Sequence, residues 1–158
     1  MNIIVNWLRR VFPRVDRFEG LRKFEIFSNL NAYHLHVLNK YLHLRDYQAG
    51  EMIYEKGFPL ETVLFVDSGE VDIFADHEID QFQTLGSGEI IGLQDLYSHD
   101  VRSDYAKARS SVSLYAMSKV DMTEMIKQNR ELGTIFLTNV CAYLSKLSKT
   151  SGSDRAQR

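Results

Sequence analysis

The feature that most constrains this chain is a series of glycines that cuts its middle into short apolar runs. Between Leu44 and Met117, the glycines at 50, 57, 69, 86, 88 and 92 alternate with runs at 52–54, 62–66, 70–74 and 80–85. Two more runs follow at 105–108 and 111–117, and in the last of them Val112, Leu114 and Ala116 alternate with other residues. Glycine lacks a β-carbon and enters left-handed backbone that other residues avoid, so spaced glycines mark turns. Short strands separated by turn signals predict a mainly β sandwich or barrel. Asp76, His77 and Glu78 are expected at a hairpin tip.

Helical periodicity brackets this region on both sides. At 2–12, Ile3, Ile4, Trp7, Leu8, Val11 and Phe12 form one stripe opposite Asn6, Arg9 and Arg10, and Pro13 ends the segment. Such a helix either lies on its own domain or serves as a basic amphipathic contact for a membrane surface or partner protein. An apolar stretch at 24–30 precedes Asn31, which is placed to cap a helix over 32–42. After the β region, Ser118 and Asp121 have the spacing of a capping box that opens a helix to about 128. A second closing helix is expected from 130 to about 149. Its Leu137, Val140, Leu144 and Leu147 are spaced like heptad positions, so residues 130–148 are a candidate homodimer seam. The polar segment 149–158 lacks periodicity and is expected to be disordered.

One stretch carries candidate chemistry. Gly86, Gly88 and Gly92 crowd ahead of a short apolar segment, and Arg102 follows ten residues after Gly92. A glycine turn running into a helical turn leaves outward N–H groups that suit an anion. An arginine fork takes two phosphate oxygens at once. Together they outline a phosphate cradle.

Composition excludes other functions. The net charge is −2, so no overall field favours nucleic acid or an anionic membrane. The positive charge concentrates early, with Arg9, Arg10, Arg14, Arg17, Arg22 and Lys23 against Asp16 and Glu19. The single cysteine, Cys141, excludes an internal disulfide and is expected in helix packing. No apolar run reaches the ~18–20 residues of a membrane span. The N-terminus does not resemble a signal peptide, and a cytoplasmic location is expected. His34 and His36 face different sides of a helix, so they cannot share a metal; surface or interfacial positions are expected for the histidines. No nucleophile–base pairing is visible, and an enzyme is not expected.

Helix, glycine-punctuated β-roll and two closing helices together resemble the cyclic-nucleotide-binding domain. The resemblance rests on Tyr47-Gln-Ala-Gly-Glu-Met-Ile-Tyr-Glu-Lys-Gly57, Val63-Leu-Phe-Val-Asp-Ser-Gly-Glu-Val-Asp-Ile73 and Leu85-Gly-Ser-Gly-Glu-Ile-Ile-Gly92, continuing through Arg102 to Leu114. It implies a double-stranded β-helix, or jelly-roll barrel, closed by N- and C-terminal helices. It divides the chain into an extension at 1–20, a domain at 21–148 with its β-roll at about 44–117, closing helices at about 119–149, and a tail from 149. It also implies a non-catalytic sensor whose last helix closes over the ligand, either cAMP or cGMP. The family's DNA-reading members carry a further domain after that helix; only a short tail stands here, so DNA is not an expected partner.

The resemblance implies ligand contacts at Gly92, Leu93, Gln94, Arg102, Ser103 and Asp104, with two departures. The family's phosphate cassette reads Phe-Gly-Glu, then Arg, Ser or Thr, and Ala. Leu93 stands where the glutamate that takes the ribose hydroxyl belongs, and Asp104 stands where the small alanine belongs. A charge-assisted hydrogen bond is worth roughly 1.5–3 kcal/mol, so losing the glutamate weakens binding at least about tenfold. If Arg102 and Asp104 lie on one strand, they share a face about 7 Å apart. A carboxylate at that range from a phosphate costs on the order of 2 kcal/mol. Gln94 and Asp95 are the nearest substitutes for the missing carboxylate. The ligand is therefore expected to be a weakly held cyclic nucleotide or another small anion. The alternative is a ligand-free scaffold that keeps the fold and dimerises.

Overall fold

The structure is a computed structural model that describes residue 18 and residues 20–75, 81–98 and 100–155. The expected helix at 2–12 and hairpin tip at 76–78 lie outside the described residues. Among the described residues, eight strands form two four-stranded antiparallel sheets. The first has the order β1 (His43–Tyr47), β8 (Val112–Ser118), β3 (Thr62–Ser68) and β6 (Ile90–Ile91). The second runs β2 (Met52–Tyr54), β7 (Tyr105–Ala108), β4 (Val71–Phe74) and β5 (Gln81–Leu85). The sheets face each other as a jelly-roll-like roll rather than joining into the closed barrel that was one expectation.

Strand β3 shows why the roll forms. Its side chains alternate between faces, and both faces are covered, so the run Val63-Leu-Phe-Val66 is apolar throughout. Leu64 and Val66 pack between the sheets with Val71, Ile73, Leu85 and Leu114. Val63 and Phe65 point the other way, into a cluster built with the helices. The partner strand β8 divides identically, with Leu114 and Ala116 facing inward and Met117 facing the helices. Strands β1 and β6 were not singled out from the sequence. β1 reads His-Leu-Arg-Asp-Tyr and is mostly exposed at a sheet edge, whereas β6 has only two residues, so neither carries a periodic signal.

The helices cover one sheet. Two 3₁₀ turns precede Asn31, one at Gly20–Lys23 and one at Glu25–Phe27 within the apolar stretch. They deliver Leu21, Phe24, Ile26 and Phe27 to the core. Helix α1 (Ala32–Leu38) starts where expected, with the Asn31 side chain accepting the His34 amide, but it tightens into a 3₁₀ turn at Asn39–Tyr41. Helix α2 (Lys119–Gln128) opens on the Ser118–Asp121 capping box. Helix α3 spans Arg130–Arg155 and so continues past the expected end near residue 149. A ladder of rings joins these layers: Phe24 lies edge-on to Phe65 at 5.3 Å, Phe27 lies 5.0 Å from Phe65, and Phe136 of α3 stacks on Phe27 at 6.2 Å. Each such pair contributes about 0.5–1.5 kcal/mol beyond its burial.

Two further expectations are corrected. His34 is buried, 4% exposed, because it falls on the inner face of α1; its Nε2 lies 3.7 Å from Glu131. Cys141 is exposed, since it lies on the side of α3 turned from the core.

Candidate functional site

Among the described residues, Arg102 is the buried cation, only 7% exposed. Its backbone is fixed from two sides, the amide donating to Phe58 O at 2.8 Å and the carbonyl accepting from Gly57 N–H at 2.9 Å. The guanidinium Nη2 donates to Thr62 O at 2.6 Å, and the group lies over the Tyr54 ring at 4.2 Å. Gly92 supplies the remaining wall. Its φ of +81° is left-handed, and a β-carbon there would fall on the guanidinium. The sequence thus needs glycine at 92 for both turn and close approach.

Arg102 faces a cavity of about 140 Å³ between the second sheet and α3. Its apolar wall includes Leu60, Ile73, Leu85 and Ile91, and its polar rim includes Gln83, Gln94, Asp95, Ser103 and Asp104. Tyr143 of α3 closes one side. All six residues expected at the site line this cavity. They do not contribute alike. Leu93 is buried in the helix-side core cluster, whereas Gln94 and Ser103 are exposed at the mouth.

Two local expectations fail. Residues 93–98 form a run of turns, closed by Ser98 N–H to Asp95 O at 3.0 Å, rather than a helix after Gly92. Arg102 and Asp104 do not share a strand, because β7 begins only at Tyr105. Yet the amides of Leu93 and Gln94 donate to no main-chain carbonyl among the described residues.

Tyr54, which sequence reading did not single out, connects the charged groups. Its hydroxyl donates to Asp104 Oδ1 at 2.9 Å while its ring supports Arg102. Burial raises the Tyr54 hydroxyl far above its ordinary range, and the Asp104 charge raises it further. Burial lowers Arg102, opposed by Tyr54, Asp104 and Asp95. Burial likewise raises Asp104, while the Tyr54 bond and the Arg102 charge pull it down. Tyr143 was missed for a different reason: its place over the cavity depends on how α3 docks. The dock is set by Asn139 Nδ2 donating to Ile26 O at 2.9 Å and Lys146 pairing with Glu25 at 2.8 Å.

The arrangement suits binding an anion. Burying a guanidinium costs several kcal/mol of hydration. One carbonyl hydrogen bond and one ring contact return only about 2–5 kcal/mol. Among the described residues, no carboxylate pairs with Arg102 within 4.0 Å, and no group of three or more His, Cys, Asp or Glu could hold a metal ion. No helix of the described residues is long and apolar enough to cross a membrane.

Known proteins place this geometry in a family. Residues 44–129, more than half of the chain, match the cyclic nucleotide-binding domain. A Rhodopseudomonas palustris protein described as a potassium channel is 24% identical over 130 residues, 80% of this chain and 32% of its own length. The chain thus spans about a third of that curated relative. Among solved structures, the catabolite activator protein of Thermus thermophilus superposes with a TM-score of 0.72 at 24% identity, covering 84% of this chain and 62% of that one. A cyclic nucleotide-binding domain from Methylobacillus flagellatus gives 0.71 at 18% identity, covering 94% and 83%. On the breadth of the domain match and the shared roll, the chain belongs to the cyclic nucleotide-binding domain family.

Proposed function

We propose that this chain is a non-catalytic regulatory module whose cavity seats a small anion on Arg102, either a weakly held cyclic nucleotide (cAMP or cGMP) or another small anion. The observation that carries the reading is the buried guanidinium with no paired carboxylate among the described residues. A charge held this way is stabilised by an incoming anion more than a solvated one is. The roles follow from placement. Gly92 allows close approach to the guanidinium, the Leu93 and Gln94 amides add donors, and Ser103 offers a hydroxyl at the mouth. Leu93 gives the sugar no hydrogen bond, and Asp104 opposes the phosphate charge, which accounts for weak affinity. The cavity, about 140 Å³, is also smaller than the ~300–1,000 Å³ of ordinary ligand pockets, and Tyr143 in its lining makes α3 the element to shift as a nucleotide seats.

A displacement titration with a fluorescent cyclic nucleotide tests the reading. Specific displacement by cAMP or cGMP is expected, with Arg102→Ala losing at least tenfold in affinity. Equal signal from both proteins overturns it. A second reading, a homodimeric scaffold, has one observation in its favour: Leu137 on α3 is 45% exposed, in line with the half-buried Val140 and Leu144.

A further inference from the structure

The cavity lining holds one cation and two carboxylates, Arg102 against Asp95 and Asp104. Asp104 does not lie on the arginine. Its Oδ1 is held by the Tyr54 hydroxyl at 2.9 Å, and the ring of the same tyrosine lies 4.2 Å from the guanidinium carbon. Tyr54 therefore fixes a carboxylate beside Arg102, leaving the guanidinium available but its surroundings negative. With every group ionised, these three lining groups sum to one negative charge. A first negative charge on the ligand meets Arg102; a second meets no further cation in the lining.

We propose that Asp104 is the specificity-determining residue of this site, admitting singly charged anions such as phosphodiesters, rejecting dianionic phosphomonoesters, and taking up a proton as the anion binds. The inference rests on the reading of Arg102 as the anion's seat. The titratable and charged groups around Asp104 come from four places: Tyr54 on β2, Lys56 after it, Asp95 in the turns after β6, and Arg102 on its own segment. Lys56 also donates to Ala75 O at 3.3 Å. Tyr143 of α3 completes the titratable lining of the cavity. Burial and Asp95 already favour the protonated Asp104 carboxyl, against Tyr54, Arg102 and Lys56. A bound anion pushes in the same direction as burial. Affinity is therefore highest below the Asp104 pKa of the free protein, falls as pH rises through it, and levels off once the bound form also loses its proton.

The test is calorimetric titration of the full chain with cyclic GMP, whose phosphodiester keeps one charge from pH about 5 to about 8, and with 5′-GMP at pH about 8. The wild-type affinity for cyclic GMP is expected to rise by up to about tenfold per unit as pH falls through the transition. Asp104→Asn is expected to flatten that profile, tighten cyclic GMP at pH about 8 by roughly tenfold or more, and narrow the gap to 5′-GMP. Asp95→Asn should retain the pH slope. Wild-type titrations in buffers of different ionisation enthalpy measure proton uptake directly, without relying on any variant. No uptake, or an Asp104→Asn variant with the wild-type profile, overturns the assignment to Asp104 while leaving Arg102 as the seat. Absence of binding by both proteins at every pH overturns the Arg102 reading, and this inference with it.

Discussion

Gly92 shows how one residue can serve the backbone and the site together. Its left-handed φ and its contact with the guanidinium both exclude a β-carbon. Gly92→Ala is therefore expected to cost about 1–3 kcal/mol of stability and to displace Arg102. Thermal or urea denaturation gives the first effect, and cyclic nucleotide titration of the still-folded variant gives the second. Gly69 meets a similar constraint away from the cavity, at φ +82°, where a β-carbon would strike Ser111 O. Affinity separates the two positions: substituting Gly69 should destabilise the roll while leaving Arg102 in place. Arg102 and Gly92 could be read from the sequence because a glycine turn and a following arginine are a pattern with a mechanism. Tyr54 could not, because it is a short-strand aromatic like several others until β2 and β7 place it beneath the guanidinium.

At the scale of elements, the junction from β8 to α2 is specified by local chemistry. The Asp121 amide donates to Ser118 Oγ at 3.0 Å, and the Ser118 hydroxyl returns a 2.6 Å bond to Asp121 Oδ2. These bonds to Ser118, with His43 adding to them, hold the Asp121 carboxyl below its ordinary range despite some burial. A depressed folded-state pKa means the stabilisation is present above the unfolded carboxyl's ~3.9 and is lost as pH falls through the folded value. Asp121→Ala should cost about 1 kcal/mol near neutral pH. Melting temperatures of the two proteins should converge on acidification; a constant gap would refute the assignment. The cap could be read from spacing alone because Ser118 and Asp121 lie three residues apart, whereas the His43 contact, 78 positions away, could not. The turns at 93–98 could not, since their path is set by Leu93 and Leu96 packing under the helices, a contact over long sequence separation.

At the scale of the whole molecule, α3 joins the N-terminal turns, the sheet and the cavity. Phe136 anchors it to Phe27, Asn139 and Lys146 fasten it to the 3₁₀ segment, and Tyr143 reaches the cavity. Movement of α3 would therefore carry ligand occupancy to the N-terminal turns as well as to any partner. The exposed side of the same helix carries the dimer proposal. If a second copy covers it, light scattering after size exclusion gives twice the monomer mass, and Leu137→Glu returns it to monomer at unchanged melting temperature. A wild-type protein that elutes as monomer at high concentration rules the scaffold reading out. The buried His34 belongs to this scale as well. It lies one turn before Val37 and Leu38 on α1, and the docking of that face against the core buries it with them.

The sequence by itself determined the β-roll between helices, because turn glycines, two-residue alternation and helix caps are local rules that act before any long-range contact forms. It also marked Arg102 and Gly92, whose chemistry is intrinsic to their residue types. Only the tertiary structure decided that Tyr54 and Tyr143 share a cavity with them, that Asp104 is held there by the Tyr54 hydroxyl, that Leu93 belongs to the core, and that Cys141 is exposed. The reason is geometric: residues 50 and more positions apart become neighbours only when two sheets and a closing helix pack, and burial then sets the charge balance that no spacing along the chain encodes.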